Sequence, residues 1–433
     1  MESFVMEPAK QIPVAYAVDV LVVGSGPAGM AAAVMAGRQG MRTLLVESLG
    51  DVGGIATSGL MSHFTGSVTS LFYEELLSRM ASRNEGAQRN QRTITIDPEQ
   101  LKTIGLEMLI EAGVTLLLYT SAVDVIVQDN TLRGIVTESK NGRQAILAKV
   151  VVDATGDGDI AARAGVPCQV GREGDGRMQP ATIMFKIAGV DTDRCPFPGS
   201  FETEVETPRG ELQTLARKLL PAPAGHVLLY RTTLPGVVTC NMTNCTEING
   251  LKAEDLTLAT RTCREQLEPI LQFLRTYVDG CEHCYLVSSA PLVGIRETRH
   301  VQGEYCLTQD DILQKRVFED WVVRDACFNF DVHNISGAGL DKTGAQKHFP
   351  KDNCYTIPYR CLVPVKIEGL LLAGRDISGT HMAHSNYRAM PICAGMGEAA
   401  GVAAALAVRK KLPVRKLPVK EIQDILLGKG KRK

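Results

Sequence analysis

The sequence predicts an α/β protein, built on a parallel sheet of dinucleotide-binding type, extended by an antiparallel meander and interrupted by an inserted α+β substrate domain. Three observations predict it. An apolar run at 20–23 meets Gly24, Gly26 and Gly29 without a gap, and a second apolar run, Thr43–Val46, ends in Glu47. Two alternating runs and an Asn-Gly turn at 141–142 have the spacing of a meander, and nucleotide-fold texture returns only after residue 355.

The first βαβ unit carries the strongest signal. In Gly24-Ser25-Gly26-Pro27-Ala28-Gly29, the first glycine makes the tight turn, the second admits a pyrophosphate, and the third lets helix and strand pack closely. Amides at the helix start then face the phosphates with the helix dipole behind them. Glu47 stands 18 residues beyond Gly29, where a carboxylate holding a ribose 2′-OH is expected roughly 20 residues on. A carboxylate there repels a 2′-phosphate, so FAD or NAD fits better than NADP.

Each later element follows in order. The glycine-rich stretch 50–66 reads as a loop over the nucleotide, with Ser48, Gly53, Gly54, Ile55 and Ala56 beside it. A helix at 71–83 and a polar surface connection at 84–90 precede a helix that Asp97 caps and Pro98 opens, running through 111. A strand at 114–119 extends the parallel sheet. Runs at 122–127, 132–138 and 144–147 form the meander, and a separate buried strand at 150–153 ends in Ala154-Thr155-Gly156. Proline-containing loops and most cysteines mark 168–354 as the inserted domain, leaving 1–167 and 355–410 as the two parts of the nucleotide domain and 411–433 as a tail. In the second part a strand at 370–373 leads to the turn Gly374-Arg375-Asp376 and an Ala/Gly-rich helix at 395–408.

Charge and composition exclude several classes. With 47 basic against 48 acidic residues there is no footprint for nucleic acid or an anionic membrane. The first 20 residues lack the pattern of a secretory signal, and no segment has the roughly 18 uninterrupted apolar residues of a membrane span. The 12 cysteines, all at or after Cys168, therefore read as reduced thiols in a cytoplasm. Cys281/Cys284 and Cys240/Cys245 have spacings found in disulfide reductases, but neither pair follows the first nucleotide fold and no second pair completes a zinc site, so no metal is expected. The terminal GKGKRK reads as a solvated tail.

Taken together, GSGPAGMAAA with Glu47, VVVDATGDGD at 150–159 and GLLLAGRDISG at 369–379 resemble the FAD-binding pattern of glutathione-reductase-like flavoproteins. GIRETRHVQGEYCLTQDDIL at 294–313, IPYRCLVP at 357–364 and ICAGMGEAAGVAAA at 392–405 look like one branch, the FAD-dependent oxidoreductases distantly related to fumarate reductase and succinate dehydrogenase flavoprotein subunits. The resemblance implies FAD as cofactor and a Rossmann-like fold of glutathione reductase type. It implies that Ala154-Thr155-Gly156 closes near the pyrophosphate, that Val123 meets the adenine through its backbone, and that Asp376 bonds the ribityl hydroxyls beside Gly374 and Arg375. It also implies that amides opening a helix at Gly397-Glu398-Ala399 face the flavin pyrimidine, where a helix dipole favours negative charge. Asp51 departs from the pattern, standing where a basic residue often precedes the glycine pair.

His381, His384 and Arg388 fall between the ribityl aspartate and that helix, which places them by chain order beside the flavin. Either histidine can move a proton near neutral pH, and Arg388 can bind an anion. Arg296 and Arg299 are three apart, so on a helix they would share a face and hold a carboxylate, or instead pair with Glu297 or Glu304. His63, Arg360, Tyr359 and His333 are weaker candidates. The expectation is an FAD-dependent dehydrogenase or reductase moving a hydride between the flavin and a small, polar, anionic substrate, with an external electron carrier as a further partner. A fumarate-reductase-like enoate reductase and a non-catalytic flavoprotein subunit of a larger complex are the alternatives. The sequence leaves the oligomeric state open.

Overall fold

A computed structural model describes residue 5 and residues 7–83, 87–89, 93–341 and 354–429. Most of the connection expected at 84–90, and most of the terminal basic tail, lie outside the described residues.

The main sheet runs in the order Thr115–Leu117, Thr43–Val46, Val14–Val23, Gly142–Asp153, Thr131–Ser139, Ser121–Gln128. The first four are parallel, with Val20 opposite Val150 and Val23 opposite Asp153. Gly142–Asp153 is one continuous strand rather than the return and separate buried strand expected at 144–147 and 150–153. Its two ends serve different partners. The first half pairs antiparallel with Thr131–Ser139, and the last residues pair parallel with Leu370–Leu372. Continuity was hidden because the exposed Lys149 interrupts the apolar pattern.

The helices expected at 71–83 and 98–111 form as Leu71–Ser82 and Pro98–Glu111, with Ser70 and Asp97 accepting from the amides of Tyr73 and Glu99 as N-caps. Pro27–Arg38 packs against Met390–Lys410 at very short range, because a Cβ on Gly397 would lie 1.9 Å from the Ala28 carbonyl oxygen and one on Gly401 would lie 2.2 Å from that of Ala32. Met390–Lys410 begins five residues before the helix expected at 395. It is long and apolar enough to cross a membrane, yet 94% of that window is buried inside the protein, as in a core helix.

A second hydrophobic core gathers Phe185, Leu229, Val238, Leu271 and Leu274 around an antiparallel sheet ordered Leu229–Arg231, Val238–Cys240, Phe185–Ala188, Tyr285–Ser289. Cys195, Cys240, Cys281 and Cys284 lie in this core, while Cys245 belongs to a smaller one with Leu60, Ile183 and Cys263. Cys240 and Cys245, whose spacing alone suggested a pair, are thus divided between two cores.

Candidate functional site

The glycine motif is built as a cradle. Gly24 has φ +94°, and a Cβ there would stand 2.4 Å from the Ala154 carbonyl oxygen; one on Gly29 would meet the Gly24 oxygen at 1.8 Å. Both positions are closed to any larger residue. Gly26 differs: a Cβ would meet nothing within 4 Å, which leaves room in front of the helix. Pro27 opens that helix and Ala28 is buried in it. Glu47 closes the cradle, accepting from the Ser25 amide at 2.8 Å and hydroxyl at 2.7 Å through Oε2, and from the Ser48 hydroxyl and Leu49 amide through Oε1. The Gly53 amide donates to the Ser25 carbonyl at 2.8 Å, so the loop with Gly54, Ile55 and Ala56 folds onto the motif as a short 3-10 turn. Asp51, the departure from the pattern, pairs with Lys102 at 3.2 Å.

The later motifs converge on the same place. Ala154 faces Gly24, and Thr155 donates its hydroxyl to Asp153, whose other oxygen accepts the Ile160 and Ala161 amides. Gly156 lies against the Arg375 guanidinium, which pairs with Asp157 at 3.0 Å. Gly374 is held against Ala28. Asp376 is 0% exposed, and neither carboxylate oxygen has a hydrogen-bond partner among the described residues. Burial, with Asp153 nearby, pushes its carboxyl well above the usual range. Buried polar atoms are almost always paired, so this carboxyl could hold a hydroxyl of a bound cofactor. Val123 sits at a ladder irregularity between Ala122 and Asp124, with its carbonyl accepting from Arg163 Nε at 3.3 Å.

Gly397, Glu398 and Ala399 require a correction. They lie two turns inside Met390–Lys410, whose N-cap is Ala389, so their amides do not open a helix. Gly397 serves the contact with Ala28, Ala399 is core, and Glu398 accepts from the Ser70 hydroxyl. Burial pushes the Glu398 carboxyl up to about 7.

The charged candidates separate into two groups. Arg296 and Arg299 are not on a helix, because Arg296 lies in an irregular stretch and Arg299 begins the strand Arg299–Val301. Arg299 pairs with Asp159 at 2.9 Å. Glu304 pairs with Arg415, so neither expected acidic partner is used. Arg296 is buried, donates to the Pro180 carbonyl, and has Arg388 and Asp331 as charged neighbours. Desolvation and the like charge of Arg388 lower it to about 10. Arg388 donates to the Asp331 carboxylate at 2.8 Å and to its carbonyl at 2.7 Å, while its buried Nε has no partner among the described residues. Against its own desolvation, His333 and Arg388 hold the Asp331 carboxyl far below the usual range. His333, 3.5 Å from Asp331, is lowered by burial to about 4 and His226 to about 3. Tyr230, another neighbour of Arg296, stacks on His63 with 3.6 Å between ring centroids.

The second group centres on Glu297. Its Oε1 accepts from His381 Nδ1 at 2.6 Å and His300 Nε2 at 2.9 Å, assignments forced because an ionised carboxylate has nothing to donate. Against desolvation, these bonds hold the Glu297 carboxyl low. His384 is 0% exposed and stands edge-on to His300 at 4.7 Å. Arg360 points elsewhere, to Asp320, and Tyr359 donates to the Val414 carbonyl. Sequence reasoning missed Asp331, Tyr230, His226 and His300, and weighed Glu297 only as an ion-pair partner. The signal for Glu297 and His300 lay inside the GIRETRH motif itself, and that for Asp331 in its position two before His333.

A family model described as FAD dependent oxidoreductase matches residues 19–426. Among curated proteins, a thiamine thiazole synthase of Sulfolobus acidocaldarius is 32% identical over 33% of this chain and 57% of its own length. A digeranylgeranylglycerophospholipid reductase of Methanococcoides burtonii is 26% identical over 41% of this chain and 46% of its own. The chain thus spans about half the length of these relatives. Among solved structures, a geranylgeranyl bacteriochlorophyll reductase-like protein of Thermoplasma acidophilum aligns with TM-score 0.52 at 12% identity, covering 96% of this chain and 84% of that one. The flavin-dependent brominase Bmp2 aligns with TM-score 0.50, also at 12% identity, covering 95% and 84%. At such identities these two show a shared fold.

Proposed function

Because the chain belongs to the family of FAD-dependent oxidoreductases, we propose that it moves a hydride between the flavin and a small, polar organic anion held by Arg296 and Arg388. One observation carries this reading: the buried Arg296 and the half-buried Arg388 share one charged neighbour, the Asp331 carboxylate, with the neighbouring His226 and His333 held neutral by burial. A substrate carboxylate supplies the missing charge, and the planar guanidinium forks suit it. FAD, held by the Gly26 cradle, Glu47 and Asp376, supplies the redox chemistry. His381, oriented by Glu297, is placed to hold or accept the proton that accompanies the transfer. Tyr230, stacked on His63, neighbours Arg296 and would line the same site.

The proposal includes a nucleotide domain of glutathione reductase type formed by 1–167 and 355–410, a substrate domain at 168–354, and distant kinship with fumarate reductase flavoproteins. A cytoplasmic setting with reduced thiols belongs to the same proposal. A second reading, enoate reduction with Arg296 as proton donor, is favoured by the lowered value of that guanidinium, about 10.

An anaerobic screen of the flavin absorbance against hydroxy acids, amino acids, polyols, enoates and NAD(P)H tests the reading. Bleaching by a carboxylate, lost in Arg388→Gln at unchanged flavin content, is expected. Bleaching by uncharged compounds alone overturns the anion site, and reoxidation by an enoate after chemical reduction selects the second reading.

A further inference from the structure

Beside His381 and Glu297 stand two further buried histidines, His300 and His384. We propose that Glu297, His300 and His384 form a binding site for one divalent transition-metal ion, zinc or ferrous iron. Their ligand atoms lie within 4.8 Å of one another, and all three side chains are buried. Two imidazoles with one carboxylate is a donor set of catalytic zinc and of non-haem ferrous sites, whereas magnesium and calcium prefer oxygen donors throughout.

Two further observations point to a missing ligand. Both ring nitrogens of His384 are buried without a hydrogen-bond partner among the described residues. Atoms so placed are rarely left unsatisfied, and a metal ion accepts the lone pair of a neutral imidazole. Glu297 is prepared as well. His381 Nδ1–H donates to its Oε1 and the Gln179 amide donates to its Oε2 at 3.3 Å, the outer hydrogen bonding that orients a ligating carboxylate. Three protein ligands leave at least one coordination position open.

The site stands independently of the substrate, so metal uptake is its readout. One other feature competes for zinc: Cys195 Sγ lies 3.8 Å from Cys281 Sγ in the second core, with Cys284 in the same cluster. The full-length flavoprotein is stripped with a chelator and dialysed against micromolar Zn(II), or anaerobically against Fe(II). Metal and flavin are then counted together. The wild type and Cys281→Ser are expected to retain about one equivalent, and His384→Ala and His300→Ala to lose it at normal flavin content. A wild type that retains no ion overturns the proposal, as do His384→Ala and His300→Ala proteins that retain the full equivalent. Should those variants fold poorly, X-ray absorption at the metal edge of the wild type decides: nitrogen and oxygen neighbours support the site, and sulfur neighbours overturn it. An absent metal leaves the anion reading intact, because carboxylate-dependent bleaching is measured separately.

Discussion

Gly397 and Ala28 meet backbone to backbone, at a distance that excludes a single methyl group. This contact fixes the helix whose first turn fronts the cofactor cradle. Gly397→Ala is therefore expected to destabilise the protein by about 1–3 kcal/mol through overpacking and to lower flavin content with it. Thermal melting and the absorbance ratio of flavin to protein check both effects.

Gly26 gives the opposite outcome. A side chain there meets no protein atom but occupies the space in front of the helix. Gly26→Val should fold with an apoprotein melting temperature close to that of flavin-stripped wild type, yet remain colourless. A yellow variant of normal flavin content would refute the assignment of the cradle.

Asp376 tests the other end of the cofactor. A hydrogen bond to a carboxyl that burial keeps neutral contributes about 0.5–1.5 kcal/mol, so Asp376→Ala is expected to weaken FAD binding roughly 2- to 10-fold. The same change removes an unpaired buried carboxyl, so it should stabilise the apoprotein. Titrating stripped protein with FAD and melting it without FAD separates the two effects.

Glu398 imposes a pH dependence. An acid raised to about 7 in the fold from an ordinary 4.5 keeps its proton better when native. Its contribution is complete below about pH 4.5, falls as pH rises, and is lost above about 7, a change of up to roughly 3 kcal/mol. Glu398→Gln should flatten that decline between pH 5 and 7 in denaturant midpoints, measured against the wild type at matched flavin loading.

Much of this was legible in sequence where the causes are local. The tight glycine turn and the Asp97 cap follow from neighbouring residues, and both form in the structure. What was hidden depends on distant partners. Arg296 and Arg388 are far apart in sequence, and only folding brings Asp331 between them. The helix face imagined for Arg296 and Arg299 failed because pairing of Arg299–Val301 with Cys168–Val170 makes that segment extended. The early start of Met390–Lys410 was masked by Pro391, which is tolerated in a first turn but reads as a breaker in isolation.

The bare Asp376 carboxyl ties the protein's lifetime to its vitamin supply. A chain folded without FAD holds an unsatisfied acid in its interior, so the loaded and empty forms differ in stability by the cofactor's full binding linkage. In a riboflavin-starved cell the empty form would populate its unfolded state more often and meet proteases there. The abundance of this protein should then track flavin availability, with no change in its synthesis.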